Sequence, residues 1–105
     1  MCHCSMCRRQ TGLYYAATAA NNSDLEILTD DTLRWYESSA WAKRGFCRTC
    51  GSALFWKAND EDETSILAGS LVGDSGLKIG KQIFTKHKGD FYDLIAGIPT
   101  FDEGG

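Results

Sequence analysis

The chain has 105 residues, a formal net charge of −3 and 24% charged residues, which are typical of one soluble globular domain. The acidic balance argues against nucleic acid as a partner, and we recognise neither an apolar run that could span a bilayer nor a secretory signal pattern. A cytoplasmic location is therefore expected. In that reducing compartment, paired cysteines bind metal or take part in redox chemistry more often than they form disulfides.

The pattern along the chain predicts one short helix followed by short strands. The segment Ser5–Gln10 predicts a helix that Gly12 ends, since glycine readily adopts the left-handed conformation at a helix C-terminus. Alternating apolar segments bounded by turn residues predict strands. These segments are Leu13–Ala20, Leu25–Leu28, Leu33–Ser38, Ala53–Lys57, Thr64–Leu71 and Lys81–Thr85. The expected class is mainly β, with small antiparallel sheets and one short N-terminal helix in a single domain of residues 1–105.

The five cysteines are the most informative residues of the chain. They form two C-x-x-C pairs, Cys4/Cys7 and Cys47/Cys50, with Cys2 placed two residues ahead of the first pair. Zinc prefers thiolate ligands in a tetrahedron of four. The predicted helix also starts at the first pair, and a helix N-terminus favours thiolates. The pattern therefore predicts bound zinc.

Two zinc arrangements fit this spacing. The first is a closed structural site built from Cys4, Cys7, Cys47 and Cys50. The second is an open site of three sulfurs from Cys2, Cys4 and Cys7, with the other pair in a different site. An open site would leave one zinc position for chemistry. The spacing alone favours the closed site and leaves both arrangements open.

Other residues are assigned from their neighbours. The second cysteine pair is predicted at the tip of a hairpin, because Lys43–Phe46 leads into it and Ala53–Lys57 leaves it. His3 lies between two potential ligands, and we expect it either behind them or exposed, whereas His87 is expected in solvent. The acidic segment Asn59–Glu63 predicts a solvated loop. The aromatic residues expected in the core are Trp35, Tyr36, Trp41, Phe46, Phe55 and Trp56.

Together the motifs resemble a known family. The chain contains CHCSMCRRQTG (Cys2–Gly12) and then RGFCRTCGSALFW (Arg44–Trp56). It continues with AGSL (Ala68–Leu71) and DLIAGIPTFDE (Asp93–Glu103). This combination covers nearly the whole chain and resembles the glutathione-dependent formaldehyde-activating enzyme family, which also includes centromere protein V.

The resemblance implies a β-tent fold with two zinc sites. A catalytic zinc would be held by Cys2, Cys4 and Cys7, and a structural zinc by four cysteines that include Cys47 and Cys50. In the family, a preceding strand with a C-x-C pair completes the structural site. We expect this strand to be missing, as in an N-terminally truncated chain, or the site to be rebuilt with sulfur from the first cluster or a second chain. A homodimer is expected because a missing strand leaves a sheet edge bare.

The resemblance also implies an activity, the addition of glutathione to formaldehyde to give S-hydroxymethylglutathione, which is a carbon–sulfur lyase reaction in reverse. Arg8 and Arg9 are candidates to bind the glutathione carboxylates, as are Lys43 and Arg44, although a solvated helix face is the simpler explanation for the first two. One alternative is a non-catalytic zinc-stabilised binding module. Another is an oxidoreductase such as a type B methionine sulfoxide reductase, for which Cys2 would be the catalytic candidate.

Overall fold

The computed structural model describes residues 1–104, which contain five strands in one antiparallel sheet and one short α-helix. The helix, α1, spans Ser5–Thr11. The strands are β1 (Ala17–Asn21), β2 (Leu33–Tyr36), β3 (Ala42–Cys47), β4 (Ala53–Ala58) and β5 (Glu63–Leu67). Their order in the sheet is β1-β5-β4-β3-β2. The predicted class, mainly β with one short N-terminal helix, is confirmed.

The described residues separate into two compact units. One unit consists of Met1–Ala16 and the described residues from Val72 onward, and it contains α1. The other is Ala17–Leu71, which contains the whole sheet. Among the helices of residues 1–104, none combines the length and the apolar character needed to cross a bilayer.

Helix α1 is capped at both ends, by Cys4 and by the predicted Gly12. Cys4 is the N-cap, and its sulfur accepts a hydrogen bond from the Cys7 backbone N–H at 3.4 Å. At the other end, Gly12 has a φ of 84° and donates its N–H to the Arg8 carbonyl. A residue with a Cβ would be strained in this left-handed conformation. The predicted helix and its terminating glycine are therefore confirmed.

Strands β3 and β4 form the hairpin that carries the second cysteine pair, as predicted. Two backbone hydrogen bonds close the turn. The Cys47 N–H donates to the Ser52 carbonyl at 2.9 Å, and the Gly51 N–H donates to the Cys47 carbonyl at 2.7 Å. Gly51 has a φ of 78° there, a value that favours glycine. Cys47 thus ends a strand while Cys50 lies on the exposed tip.

A glycine in the middle of β3 lets two aromatic rings meet. Gly45 is paired with Trp35 on one side and Phe55 on the other, and these two rings stack with centroids 5.9 Å apart. A Cβ on Gly45 would lie 3.1 Å from an atom of each ring. Cross-strand aromatic contacts of this kind stabilise a sheet. Here the two rings can meet because Gly45 has no side chain between them.

Several predicted elements differ from the structure. Leu25–Leu28 does not form a strand and follows a 3-10 turn at Asn22–Asp24. Alternation would place Ile27 on the same face as Leu25, but Ile27 is 44% exposed, so the alternation in this segment marks no buried face. The strand predicted to end at Leu71 ends at Leu67, and the one predicted over Lys81–Thr85 is reduced to isolated bridges followed by a 3-10 turn.

The assignment of all six aromatic residues to the core is wrong in part. Tyr36 and Trp41 are each 60% exposed, and Trp35 is also exposed. The reason is that an aromatic residue can be stabilised on a sheet surface by a cross-strand neighbour while one side stays in water. Trp41, for example, meets Trp56 edge-on with centroids 5.6 Å apart.

Candidate metal centre

Three cysteine sulfurs meet near the start of the chain. The Sγ atoms of Cys2, Cys4 and Cys7 all lie within 4.8 Å of one another. Zinc–sulfur bonds of about 2.3 Å in a tetrahedron would put two sulfurs about 3.8 Å apart, so a small contraction would let all three bind one ion. The donor set and the spacing fit zinc. This geometry corresponds to the open arrangement of three sulfurs, and we call it the cysteine triad.

Backbone bridges hold the first residue of the triad. Cys2 and Tyr15 exchange two N–H to carbonyl hydrogen bonds of 2.8 and 2.9 Å. The next residue, His3, donates its N–H to the Ile83 carbonyl at 3.0 Å. The segment that carries Cys2 is therefore bonded on both sides within its own unit.

Helix α1 positions the other two sulfurs. Cys4 caps the helix and Cys7 lies three residues further on, a spacing that puts two side chains on the same side of a helix. The Thr11 hydroxyl bonds the Cys7 carbonyl at 2.9 Å and reinforces this turn. Cys7 is buried, whereas Cys2 and Cys4 are half-buried.

The thiols of Cys2 and Cys4 have pKa values shifted in opposite directions. Hydrogen bonds from the Cys2 and Cys7 thiols, with smaller contributions from backbone N–H groups, lower the pKa of Cys4 to about 2. The pKa of Cys2 is raised, chiefly because its thiol donates to Cys4. The metal-free triad thus holds a thiolate at its centre, and thiolate is the form that binds zinc.

His3 lies behind the triad and is not exposed, so the exposed alternative is wrong. Its side chain is 1% exposed, and its Nδ1 is hydrogen-bonded to the Tyr92 hydroxyl at 2.7 Å. The rings of His3 and Tyr92 stack with centroids 5.5 Å apart, and Tyr14 packs at the same distance from His3. Burial lowers the pKa of His3, which keeps the imidazole neutral.

The sequence analysis missed Tyr92 and the residues that fix it. The Lys88 ammonium group donates hydrogen bonds to the backbone carbonyls of Gly89 and Tyr92. It also lies over the Tyr92 ring. Burial raises the pKa of Tyr92, so its hydroxyl keeps its proton at neutral pH. Tyr92 is 89 residues from His3, and no local pattern in the sequence links the two.

Two of the four candidate basic residues, Arg8 and Arg9, lie in the last turn of α1. Arg8 is half-buried and donates to the His87 carbonyl at 3.4 Å, whereas Arg9 is exposed. His87 is exposed, as expected. Lys43 lies 4.5 Å above the Trp35 ring and Arg44 is buried, both in β3 of the other unit.

The second cysteine pair is a separate group. Among residues 1–104, no cluster of three or more possible metal ligands includes Cys47 or Cys50. The Cys50 sulfur lies 3.1 Å from the Ser52 hydroxyl. Backbone N–H groups of Cys50 and Thr49, with the Thr32 hydroxyl, lower the pKa of Cys47 to about 6. Among residues 1–104, no two cysteines form a disulfide.

Comparison with known proteins agrees with the resemblance. Residues 1–87 match the sequence model of the glutathione-dependent formaldehyde-activating enzymes, so the chain belongs to that family. It is also 27% identical over 101 residues to an uncharacterized lyase of Schizosaccharomyces pombe, an alignment that covers 95% of this chain and 73% of the relative. These similarities support a lyase.

Proposed function

We propose that the protein is a zinc-dependent carbon–sulfur lyase that adds glutathione to formaldehyde and catalyses the reverse reaction. The observation that carries this proposal is the cysteine triad, whose three sulfurs lie within 4.8 Å of one another. Three protein ligands leave the fourth position of a tetrahedral zinc open, as in catalytic zinc sites. Family membership and the lyase relative support the same chemistry.

In this proposal, different residues bind the zinc, position its ligands and bind glutathione. Cys2, Cys4 and Cys7 hold the zinc, which when bound would lower the pKa of a thiol in its open position. His3 and Tyr92, hydrogen-bonded at 2.7 Å, keep the segment between the first two ligands in place. Arg8 and Arg9 offer positive charge to the glutathione carboxylates. Arg9 is the more available of the two, because it is exposed and Arg8 already donates to His87.

The reaction is an addition in which atoms and charge balance. The glutathione sulfur gives up its proton and attacks the formaldehyde carbon, so that a carbon–sulfur bond forms. The electron pair of the C=O π bond moves to oxygen, which takes up one proton. Since no redox change occurs, the reaction needs no disulfide, and none links the cysteines of residues 1–104. Reduced cysteines fit the cytoplasm, where we place the protein, with residues 1–105 acting as one domain.

The direct test is the rate of S-hydroxymethylglutathione formation by Cys4→Ser. Formaldehyde adds to thiols without a catalyst, so the rate without protein is subtracted. Loss of a zinc ligand should lower the rate by more than roughly 10–100-fold, which is the usual loss when a residue hydrogen-bonded to a ligand is mutated. The matched control is Ser5→Ala, which removes a hydroxyl from the next position of the chain and no sulfur.

Two outcomes would contradict the proposal. Full zinc-dependent activity in Cys4→Ser would mean that the triad is not the catalytic site. Zinc-loaded wild-type protein with no rate above background would favour the alternative, a non-catalytic zinc-stabilised binding module.

A further inference from the structure

The segment that leads to Tyr92 begins with a strained residue. Phe84 has a φ of 53° and lies in the left-handed region, which a residue with a Cβ keeps only when the surrounding contacts outweigh the strain. Its N–H donates to the Glu103 carbonyl at 2.9 Å, and its carbonyl accepts from the His87 N–H at 3.1 Å. These bonds fix the 3-10 turn after Phe84, which ends at Lys88.

The Lys88 ammonium group closes the loop Lys88–Tyr92. It is hydrogen-bonded to the carbonyls of Gly89 and Tyr92, and it lies 4.9 Å from the centroid of the Tyr92 ring. A charged donor makes a stronger hydrogen bond than a neutral one, and a cation over an aromatic face adds attraction. One half-buried cation therefore holds both the backbone and the ring of the same tyrosine.

Gly89 allows the loop to pack tightly around that ring. Gly89 is buried, and a Cβ at this position would lie 2.6 Å from the Phe91 ring and 3.0 Å from the Tyr92 ring. The two rings meet edge-on with centroids 5.1 Å apart. The loop thus presses its own backbone against the ring that contacts His3.

His3 depends on Tyr92 for the orientation of its imidazole. Its Nδ1 is bonded to the Tyr92 hydroxyl at 2.7 Å, whereas its Nε2 is buried and has no hydrogen-bond partner among residues 1–104. The Gln82 amide approaches the ring, but its oxygen and its nitrogen are both bonded to the Ile95 backbone. The hydrogen bond with Tyr92 therefore sets the ring orientation.

We propose that Lys88 is a positioning residue for the cysteine triad, acting through Tyr92 and His3. His3 stands between Cys2 and Cys4 in the chain, so a displacement of its ring moves the backbone of both ligands. The proposal rests on zinc binding at the triad, which belongs to the proposed function, and does not rest on the lyase reaction.

The test is the zinc affinity of the triad in the whole chain, measured by chelator competition, with Cys4→Ser identifying the zinc that belongs to the triad. Lys88→Met removes the charge and its donors and should lower this affinity roughly 10-fold. Lys86→Met is the matched control, because Lys86 is an exposed lysine that pairs with Glu103, and it should bind zinc as wild type does. Lys88→Arg should recover most of the loss, since a guanidinium donates several hydrogen bonds and stacks on aromatic rings.

A second background separates positioning from a general loss of structure. Tyr92→Phe keeps the ring beneath Lys88 and removes the hydrogen bond to His3. Lys88→Met should therefore lower zinc affinity much less in Tyr92→Phe than in wild type. Independent effects add, so an equal decrease in both backgrounds would overturn the proposal.

Other results would also overturn it. Wild-type affinity in Lys88→Met would exclude the role of Lys88, and an equal loss in Lys86→Met would assign the effect to net charge. Should Lys88→Met fail to fold, Lys88→Gln keeps one amide donor and removes the charge; its zinc affinity should still fall, and an unchanged value would exclude the role. Zinc binding that is the same in wild type and Cys4→Ser would instead contradict the triad as the zinc site, and with it the proposed function.

Discussion

The cysteine triad and the Cys47–Cys50 turn have the same C-x-x-C spacing but different supports. The triad combines a capped helix with a backbone-bridged segment, and a buried histidine lies behind it. The turn is held by local hydrogen bonds, and its second cysteine is exposed. The spacing alone thus defines a pair of ligands. The neighbouring segments decide whether the pair gains a third sulfur.

The two regions also stabilise thiolate in different ways. In the triad, neighbouring thiols donate to Cys4 and lower its pKa to about 2. In the turn, backbone N–H groups donate to Cys47 and lower its pKa to about 6. The thiolate of the triad therefore depends on the other ligands, whereas that of the turn depends on the backbone. This difference makes the two regions separable by mutation.

The largest effect on the turn side should come from Gly45→Ala, in the strand that ends at Cys47. The new methyl group would meet Trp35 and Phe55 at 3.1 Å. Overpacking of this kind typically costs about 1–3 kcal/mol in the free energy of unfolding, measurable by urea denaturation. Gly80→Ala is the control, since its Cβ would meet nothing within 4 Å. Equal stability of the two variants would mean that the ring stack does not depend on Gly45.

On the triad side, Tyr92→Phe removes the hydroxyl that bonds His3 and keeps the ring. A buried nitrogen that loses its partner should cost about 1 kcal/mol in unfolding free energy. Zinc affinity, measured by chelator competition, should fall roughly 10-fold, as for other residues behind metal ligands. Tyr36→Phe serves as the control because Tyr36 is exposed. Unchanged zinc affinity in Tyr92→Phe would show that the His3 contact does not support the triad.

In zinc-free, folded protein, the Cys47–Cys50 turn should differ from the cysteine triad in how the reactivity of its thiol depends on pH. Because thiolate is the nucleophile and the pKa of Cys47 is about 6, alkylation of Cys47 should rise about tenfold between pH 5 and pH 7. Peptide mapping after brief iodoacetamide treatment gives the rate at that residue. A midpoint near the ordinary thiol value of about 8.5 would mean that the backbone hydrogen bonds do not stabilise this thiolate.

The smallest effect is expected at Arg9. An exposed ion pair contributes about 0–1 kcal/mol, so Arg9→Ala should raise the KM for glutathione by up to about fivefold and leave kcat unchanged. Lys78→Ala removes an equal charge from another exposed position and is the control. An identical KM in both variants would assign Arg9 to a solvated helix face.

The sequence predicted the features that depend on short-range rules. The helix, its Gly12 terminus and the hairpin around Cys47 and Cys50 follow from capping and turn preferences. The family resemblance, rather than the spacing, favoured the three-sulfur arrangement. Contacts between distant segments were not predictable: Tyr92 reaches His3 across 89 residues, and nothing near either residue marks the pair.

The wrong strand shows the limit of periodicity. Leu25–Leu28 alternates as a strand would, but alternation predicts a strand only where one face of the segment is buried. Ile27 is 44% exposed and Leu28 is 85% exposed, so burial contributes little to ordering this segment. It lies outside the five strands of the sheet.

The central claim is that the cysteine triad holds zinc with one position open. The most direct measurement is zinc-edge X-ray absorption on reduced Cys47→Ser/Cys50→Ser protein, in which the triad supplies the remaining cysteine sulfurs. We predict bound zinc with three sulfur neighbours and one lighter atom, and displacement of that atom by a fourth sulfur when glutathione is added. A variant that binds no zinc, or one in which glutathione leaves the coordination unchanged, would contradict the account.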